Sequence, residues 1–499
     1  MLYITIVIYF GVLLLIGLVA SRRIQSISDY YVGGRNLGYW VAAFSTRATG
    51  ESAWLYLGVT GLGAAVGISA MWVVVGEVVG VAIAWFLMAS PFKQASKQSN
   101  AITVPDYLVN RFTPRLEPTL AVRWLRPVAA GALAVFVVIY VSAQIDATGK
   151  AFANFLEWNY YTGALVGFGI VVIYTLNGGF LAVAWSDLFQ GLIMLAGLVI
   201  LPLAAFVVID PNTVTAGFDP ALLDIWGAGG PTLENLLTTV SYAAIGLGFL
   251  GSPQMFVRFI AIKDEQQIRA GRWVAVTFTL LADTGAVISG ILGREILVGP
   301  NGDFAAILGP DGEQVLPALV SHLFPPLIVG LFVAAVLAAI MSTIDSLLVV
   351  ASSAVTRDFY QKVLHPDLPD DTLNNMSRRV TLALALIALS IAMSVATLAP
   401  NRTIFWYVIF GWSGITASFC PVIILSLTWQ RYNAAGALAS MLTGIVAVPI
   451  FSFWLPLVPS WGSVAAQTGE LAPAFLMSTL TGVIATLVTT SQRDSSHLT

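Results

Sequence analysis

Hydroxyl and carboxyl side chains form a stripe inside one of the most apolar stretches of this 499-residue chain. On a helix, one face of the run AAIMSTIDSLLVVAS (338–352) collects Ala339, Ser342, Thr343 and Ser346, with Asp345 at its border. Hydroxyl and carboxylate oxygens are hard ligands, which suit a small cation such as sodium better than a soft metal. The hydroxyls could instead only hold neighbouring helices together. The carboxylate favours a functional stripe, because burying it in a membrane costs roughly 2.5–3.5 kcal/mol.

Two apolar spans are interrupted, and they occupy corresponding places in the two halves of the chain. In VAAFSTRATGESAWLYLG (41–58), Arg47, Gly50 and Glu51 stand at a depth where a membrane helix should be apolar and continuous. The second interruption is the glycine-rich run IGLGFLGSPQ (245–254). Backbone carbonyls freed near Ala48 and Glu51 could complete the ligand shell of a cation. Paired interruptions of this kind are typical of the central site of a membrane transporter.

The composition excludes several classes of protein. Hydrophobic residues make up 58% of the chain and charged residues 10%, against roughly 25% charged in a soluble domain. Lipid must therefore be the solvent for most of the chain. A net charge of -3 without a basic block gives no indication of nucleic-acid binding. A single cysteine, Cys420, excludes an intramolecular disulfide or multi-cysteine metal site, and three scattered histidines give no haem or zinc pattern.

Apolar runs of roughly 20 residues predict thirteen membrane-spanning helices. They fall near 2–20, 37–64, 67–91, 127–152, 161–177, 184–209, 235–257, 273–294, 315–353, 378–398, 402–429, 433–456 and 471–490. The first run has no small-residue cleavage site and is interpreted as a retained span. Most of the 23 basic residues, Arg258 among them, then fall in inner segments. This asymmetry predicts an outer N-terminus and a cytoplasmic C-terminus, and the amphipathic stretch 100–126 is expected to lie on the cytoplasmic surface.

Two pairs of opposite charges stand four residues apart within predicted spans. Arg47 and Glu51 could pair with each other on one helix, or they could face a cavity and recognise or gate a zwitterionic or anionic solute. Asp146 and Lys150 repeat the spacing and leave the same alternatives open.

For other polar residues within the spans, the sequence indicates a role less specifically. Tyr140 and Gln144 lie one turn apart and could line a polar cavity. Asp187 could cap the sixth span or lie on a cation pathway. Glu77 and Asp283 are further intramembrane acids for which the sequence shows no partner and predicts no role.

Five segments, in order along nearly the whole chain, carry a resemblance to a known family. They are DYYVGGRNLG (29–38), TVPDYLVNRF (103–112), GGFLAVAWSDLFQG (178–191), the AAIMST run and SLTWQRYNAAGALASMLTG (426–444). On these segments the chain resembles the sodium/solute symporter family, and is most similar to its bacterial sodium/proline symporters.

The resemblance implies an all-α integral membrane protein with about thirteen transmembrane helices. Its core would be an inverted repeat of five plus five helices, with two broken helices. Residues 1–499 would form a single transporter domain, with 1–20 as a peripheral first helix, 37–209 and 235–429 as the two repeats, and 433–490 as two peripheral helices.

The resemblance also implies ligand sets. The main sodium site would use the carbonyls of Ala48, Glu51 and Ala339 and the hydroxyls of Ser342 and Thr343. A second sodium site, present in some relatives, would use Asp187, Ser342, Asp345 and Ser346. The substrate would contact Ser52, Trp54, Tyr140, Ile245, Phe249, Pro253 and Trp412, with Arg47 and Gln144 in gating or recognition.

The chain departs from the sodium/proline symporters in its substrate pocket. Those symporters have Asp at Gly50, Met at Glu51, Gly at Arg47, Trp at Ile245 and Tyr at Phe249. The expected cation ligands are kept, whereas the substrate pocket is altered. Proline is therefore the first candidate for the solute, by resemblance to these symporters.

The sequence therefore predicts a sodium-coupled secondary active symporter of the bacterial inner membrane, importing proline or a related amino acid by alternating access. Sodium is the expected cofactor, and a small solute, sodium ions and membrane lipid are the expected partners. A monocarboxylate or another solute, a transporter-derived membrane sensor and a channel are the alternatives. An integral-membrane enzyme is disfavoured, because no His-, Cys- or Ser-based catalytic constellation is visible. The oligomeric state is not predicted.

Overall fold

The chain is helical throughout the parts that its computed structural model describes, which are residues 1–23, 27–113, 119–209, 219–299, 302–369 and 372–496. Within these ranges the β contact is a single bridge between Leu37 and Ile262. The predicted all-α fold is therefore confirmed. Arg115, one of the expected inner charges, lies outside the described residues.

The described residues form twenty α-helices. The first half contains α1 (Leu2–Ser21), α2 (Ile27–Val32), α3 (Tyr39–Gly50), α4 (Thr60–Val66), α5 (Met71–Ile83), α6 (Ala89–Gln98), α7 (Val104–Phe112), α8 (Leu120–Leu156) and α9 (Tyr160–Val208). The second half contains α10 (Leu233–Ala244), α11 (Pro253–Ala261), α12 (Glu265–Leu297), α13 (Phe304–Leu308), α14 (Val315–Leu323), α15 (Pro326–Ser353), α16 (Leu373–Leu398), α17 (Ile404–Thr428), α18 (Ala434–Pro449), α19 (Gly462–Thr468) and α20 (Leu471–Ser496).

Eleven stretches of the described chain are helical, long and apolar enough to cross a membrane, and the shorter helix Tyr160–Leu176 is apolar as well. One of the eleven, Trp54–Gln98, contains the second part of the predicted span 37–64 and the whole of the predicted span 67–91. A positive φ of 69° at Gly67 interrupts it. Dividing that stretch there and counting Tyr160–Leu176 reproduces the thirteen predicted spans. The boundaries of the two repeats stay a prediction.

Both predicted interruptions are present. Helix α3 ends at Gly50, and the chain leaves helical geometry at Glu51 (φ -87°, ψ 79°) before a π-helical turn over Trp54–Val59. Helix α10 ends at Ala244 and passes through a 3₁₀ segment, Ile245–Leu250, before α11 begins. Both interruptions are buried within the protein, where irregular backbone at membrane depth is tolerated.

Close backbone contacts join the second interruption to α5. A Cβ atom on Gly246 would overlap the carbonyl group of Gly76, and a Cβ atom on Gly80 would overlap the carbonyl group of Gly246. Only glycine allows two main chains to approach this closely. Helix α5 and the 3₁₀ segment are therefore in direct contact without an intervening layer of side chains.

Helix α15 carries the polar stripe through the centre of the protein. It packs against α8, α9 and α3, and its residues from Phe332 to Ser353 are buried. Helix α9 bends around it at Gly179, whose φ of 53° is open to glycine but strained for other residues. The stripe therefore faces the end of α3 and not the lipid.

One expectation from the charge pattern is wrong. Arg258, counted among the inner-segment charges, lies within α11 with none of its surface exposed. A guanidinium at such a place needs internal partners, and these are described below.

Candidate functional site

The hydroxyl stripe of α15 meets the C-terminal end of α3. Ser342 Oγ donates a hydrogen bond to the carbonyl oxygen of Ala48 (2.9 Å), and Thr343 Oγ1 donates to that of Thr49 (3.2 Å). Both hydroxyls also lie near the carbonyl oxygen of Ala339, at 3.2 and 3.0 Å. Two hydroxyl and three carbonyl oxygens thus converge beside the first interruption, in a fully buried place.

This convergence brings together four of the five residues expected to bind the main sodium ion, namely Ala48, Ala339, Ser342 and Thr343. The carbonyl that faces Thr343 is that of Thr49, not that of Glu51. All five oxygens are hard and uncharged, the donor type suited to an alkali cation. A cation entering there would replace the hydroxyl hydrogen bonds. The sodium assignment itself stays a prediction.

A guanidinium lies among the residues expected to form the second sodium site. Arg258 contacts Asp187 Oδ2 at 3.2 Å and donates hydrogen bonds to Ser346 Oγ at 2.6 Å and Thr49 Oγ1 at 2.9 Å. Its Nε also donates to Ser45 Oγ, which in turn donates to Asp187. In this conformation the positive charge beside Asp187 is therefore that of Arg258.

The remaining members of that predicted site have other partners. Asp345 accepts a hydrogen bond from the hydroxyl of Tyr174, and Ser342 is bound to Ala48. These groups thus bind protein partners in this conformation, and the second sodium site stays a prediction. Sequence reasoning missed Arg258 as a site residue because it counted that side chain with the loop charges.

Polar side chains of α8 form hydrogen bonds with the first interruption. Gln144 accepts a hydrogen bond from the backbone N–H of Ala53 (3.1 Å) and donates one to Ser52 Oγ (3.1 Å). Tyr140 donates a longer bond to the same Ser52 oxygen (3.4 Å). Of the two residues expected to line a polar cavity, Gln144 therefore binds the unwound backbone and Tyr140 binds the Ser52 side chain.

Aromatic side chains gather at the second interruption. The Trp412 indole N–H donates to the carbonyl oxygen of Ile245 (3.0 Å), and the ring of Phe249 lies 5.2 Å from the Trp412 ring. Tyr140 meets Trp412 edge to face at 6.3 Å. A Cβ atom on Gly248 would overlap the indole. Ser52, Tyr140, Ile245, Phe249 and Trp412 thus form one buried group of contacting residues between the interruptions. We call this group the aromatic pocket, because it includes five of the seven residues expected to contact the substrate.

The other two residues expected to contact substrate lie at its margins. Trp54 donates its indole N–H to the carbonyl oxygen of Gly50 and packs edge to face on Phe405. Pro253 begins α11 and borders a small cavity with Tyr31 and Val349. The backbone N–H of Trp54 also donates a hydrogen bond to Ser52 Oγ at 3.4 Å, so Trp54 touches the aromatic pocket through its main chain.

The charged pairs behave differently from each other. Arg47 and Glu51 do form an ion pair, and Arg47 also bonds Glu77 at 3.1 Å. Asp146 and Lys150 pair elsewhere, with Arg402 and Glu313 respectively. The pairing interpretation is therefore confirmed for Arg47 and Glu51 and wrong for the other pair.

Comparison with known proteins supports a transport role. Residues 30–444 match the model of the sodium:solute symporter family. The chain is 34% identical to the osmoregulated proline transporter OpuE of Bacillus subtilis, over 98% of this chain and 95% of that protein. It is 30% identical to the sodium/proline symporter of Escherichia coli, over 97% and 92% of the two chains. A solved sodium-coupled sialic acid symporter has the same fold, with a TM-score of 0.76 at 16% identity over 98% and 97% of the chains.

Proposed function

This chain belongs to the sodium:solute symporter family, and from that premise we propose that it imports proline together with sodium by alternating access. It is an integral membrane transporter and not an enzyme. We place it in the bacterial plasma membrane with its N-terminus outside and its C-terminus in the cytoplasm.

The observation that carries the proposal is the convergence of Ser342 and Thr343 on the carbonyls that end α3. A cation held there would bind oxygens of α3 and α15 at once. It would fix the first interruption, whose next residues, Ser52 and Ala53, are held by Gln144. Occupation by sodium would in this way organise one wall of the aromatic pocket.

Transport then follows from movement of the two interrupted segments relative to the helices around them. Inward movement of one sodium ion is favoured by roughly 2.3 kcal/mol per 100 mV of membrane potential. Because the solute and the ion would occupy adjacent places, the ion's gradient can drive uptake of the solute.

The aromatic pocket supports a small, compact, partly apolar solute. Phe249 and Trp412 offer apolar faces, and Ser52 and the indole-bound carbonyl of Ile245 offer polar groups at the other side. The names of the relatives favour proline. Ile245 and Phe249 are smaller or less polar than the residues expected in sodium/proline symporters, so a related amino acid is the second candidate.

The test is uptake of labelled proline into proteoliposomes, with an inward sodium gradient and with choline in its place. We expect saturable, sodium-dependent uptake that is lost in Thr343→Ala and retained in Thr343→Ser, which keeps the hydroxyl. Wild-type-like uptake in Thr343→Ala would reject the ligand assignment. Conductance that rises linearly with voltage, without saturation, would indicate a channel.

A competition experiment identifies the transported solute. Unlabelled amino acids and monocarboxylates are added in excess during sodium-driven uptake of labelled proline. Strong competition by proline alone supports the proposal. Failure of labelled proline to enter, with uptake of another member of the panel, would reassign the solute but not the mechanism.

A further inference from the structure

Three buried carboxylates meet beside the first interruption. Glu51 directly follows the last residue of α3, Glu77 lies in α5 and Asp283 lies in α12. One carboxylate oxygen from each lies within 4.8 Å of the other two. All three side chains have at most 1% of their surface exposed. We call these three residues the acid cluster.

The acid cluster has one basic partner among the residues that the structure describes. Arg47 pairs with Glu51 and bonds Glu77 at 3.1 Å, and its guanidinium lies over the ring of Phe249 at 4.5 Å. One guanidinium can balance one of three carboxylates, so the other two must be balanced by bound protons or by a further positive charge. Charge at this depth requires a counter-charge, because neither water nor lipid headgroups can reach it.

Several of the oxygens have nothing to bind in the described part of the chain. Both oxygens of Asp283, Oε1 of Glu77 and Oε2 of Glu51 lack a hydrogen-bond donor there. Asp283 is 1% exposed, and its carboxyl group lies beside those of the other two acids. Buried acceptors are almost always satisfied, so these oxygens need either a proton shared between Glu77 and Asp283 or a ligand from outside the chain.

We propose that the acid cluster is a binding site for a positively charged ligand, separate from the hydroxyl site of Ser342 and Thr343. Carboxylate oxygens at this spacing suit a small hard cation such as sodium, and they equally suit an ammonium group. The ligand is therefore either a free sodium ion or the amine end of the transported solute.

The acid cluster lies next to the aromatic pocket, so the amine of a bound solute could reach it as well as a free sodium ion. Glu51 directly precedes Ser52, which belongs to the aromatic pocket. The ring of Phe249, another member of that pocket, lies against the Arg47 guanidinium. An amine on a solute in the pocket would be drawn towards the cluster. The amine alternative rests on the proposed function, whereas the sodium alternative does not.

The first experiment measures equilibrium binding of radioactive sodium alone to the purified full-length protein in lipid nanodiscs. Asp283→Asn and Glu77→Gln each remove one charge with little change of shape. Glu470→Gln is the matched control, because Glu470 is a buried acid bonded to Ser413, away from the cluster. Thermal unfolding of each variant shows whether it is folded.

If sodium is the ligand, each cluster variant loses one bound sodium per protein, or needs at least tenfold more sodium for half-saturation, while Glu470→Gln is unchanged. The second experiment measures binding of labelled proline, at saturating sodium, and its displacement by solutes with and without an amine. If the amine is the ligand, the cluster variants weaken binding of amine-bearing solutes at least tenfold and leave amine-free solutes unaffected.

The inference is overturned if both cluster variants are folded and neither isotherm changes. It is also overturned if the acids only exchange protons, so that the variants alter proton release without altering binding of sodium or amines. Thr343→Ala separates this inference from the proposed function. If Thr343→Ala loses sodium while the cluster variants keep both sodium and amine binding, the acid cluster alone is rejected. If the cluster variants lose binding while Thr343→Ala keeps all its sodium, the hydroxyl site alone is rejected.

Discussion

Replacing Arg258 by methionine removes the charge partner of Asp187 while keeping an unbranched side chain of similar length. Arg258 makes five polar contacts in the structure, to Asp187, Ser346, Thr49, Ser45 and the carbonyl oxygen of Gln254. Neither Arg258 nor Asp187 is exposed. The substitution therefore leaves the Asp187 carboxylate buried, with the hydroxyls of Ser45 and Thr49 as its remaining described donors.

The expected loss in the free energy of unfolding is about 3–5 kcal/mol, the usual result of removing one member of a buried ion pair. Removing both members restores most of it, because apolar replacements need no counter-charge. Arg258→Met together with Asp187→Leu should therefore be more stable than Arg258→Met alone. This comparison separates the electrostatic loss from the loss of packing.

The assay is denaturant unfolding in detergent micelles, followed by tryptophan fluorescence, in sodium chloride and in choline chloride. In Arg258→Met the unpaired Asp187 should bind sodium, so this variant should gain stability in sodium relative to choline. A ligand at 100 times its dissociation constant adds about 2.7 kcal/mol. The double variant lacks the carboxylate and should lose this additional gain.

Two results would refute the reasoning. Arg258→Met within about 1 kcal/mol of the wild type would show that the pair contributes less than a buried ion pair normally does. Equal stability of Arg258→Met in sodium and in choline would show that Asp187 does not take up the ion when its guanidinium is gone.

Three further substitutions test separate parts of the structure. Gly248→Ala places a Cβ atom against the Trp412 indole; we expect a loss of about 1–3 kcal/mol in stability from overpacking and a higher half-saturating proline concentration in uptake. Gln144→Leu leaves the Ala53 N–H without its described acceptor; we expect a cost of about 1–3 kcal/mol and at least tenfold weaker proline binding, and unchanged binding would contradict the role of this bond. Burial raises the pKa of Glu313, so the stability gained from protonating it is full at acidic pH and is lost as pH rises through the raised pKa; the unfolding midpoint of the wild type should fall more steeply with rising pH than that of Glu313→Gln.

The sequence was sufficient to predict the interruptions and the hydroxyl stripe. Both are local patterns, since a broken helix needs only neighbouring glycines, a proline or charges, and a stripe needs only helical spacing. The approach of Ser342 and Thr343 to the end of α3 joins residues nearly 300 positions apart. That contact was expected from the family resemblance, because local spacing carries no information about such a distance.

The partners of charged residues could not be predicted in the same way. Asp146 and Lys150 have the spacing of a helical pair, yet each finds a distant partner that fits better. Glu77 and Asp283 come from different helices, and nothing in either local sequence indicates that they meet. Inside a membrane protein a charge is neutralised by whichever opposite charge the packing brings near, and packing is a property of the whole fold.

The glycine contact between α5 and the segment Ile245–Leu250 has a mechanical consequence. Layers of side chains between helices can repack and absorb a small displacement, whereas two main chains already touching cannot be compressed further. A tilt of α5 would therefore displace the segment Ile245–Leu250 by a similar amount. Because Ile245 and Phe249 belong to the aromatic pocket, a movement of α5 would change the shape of that pocket directly.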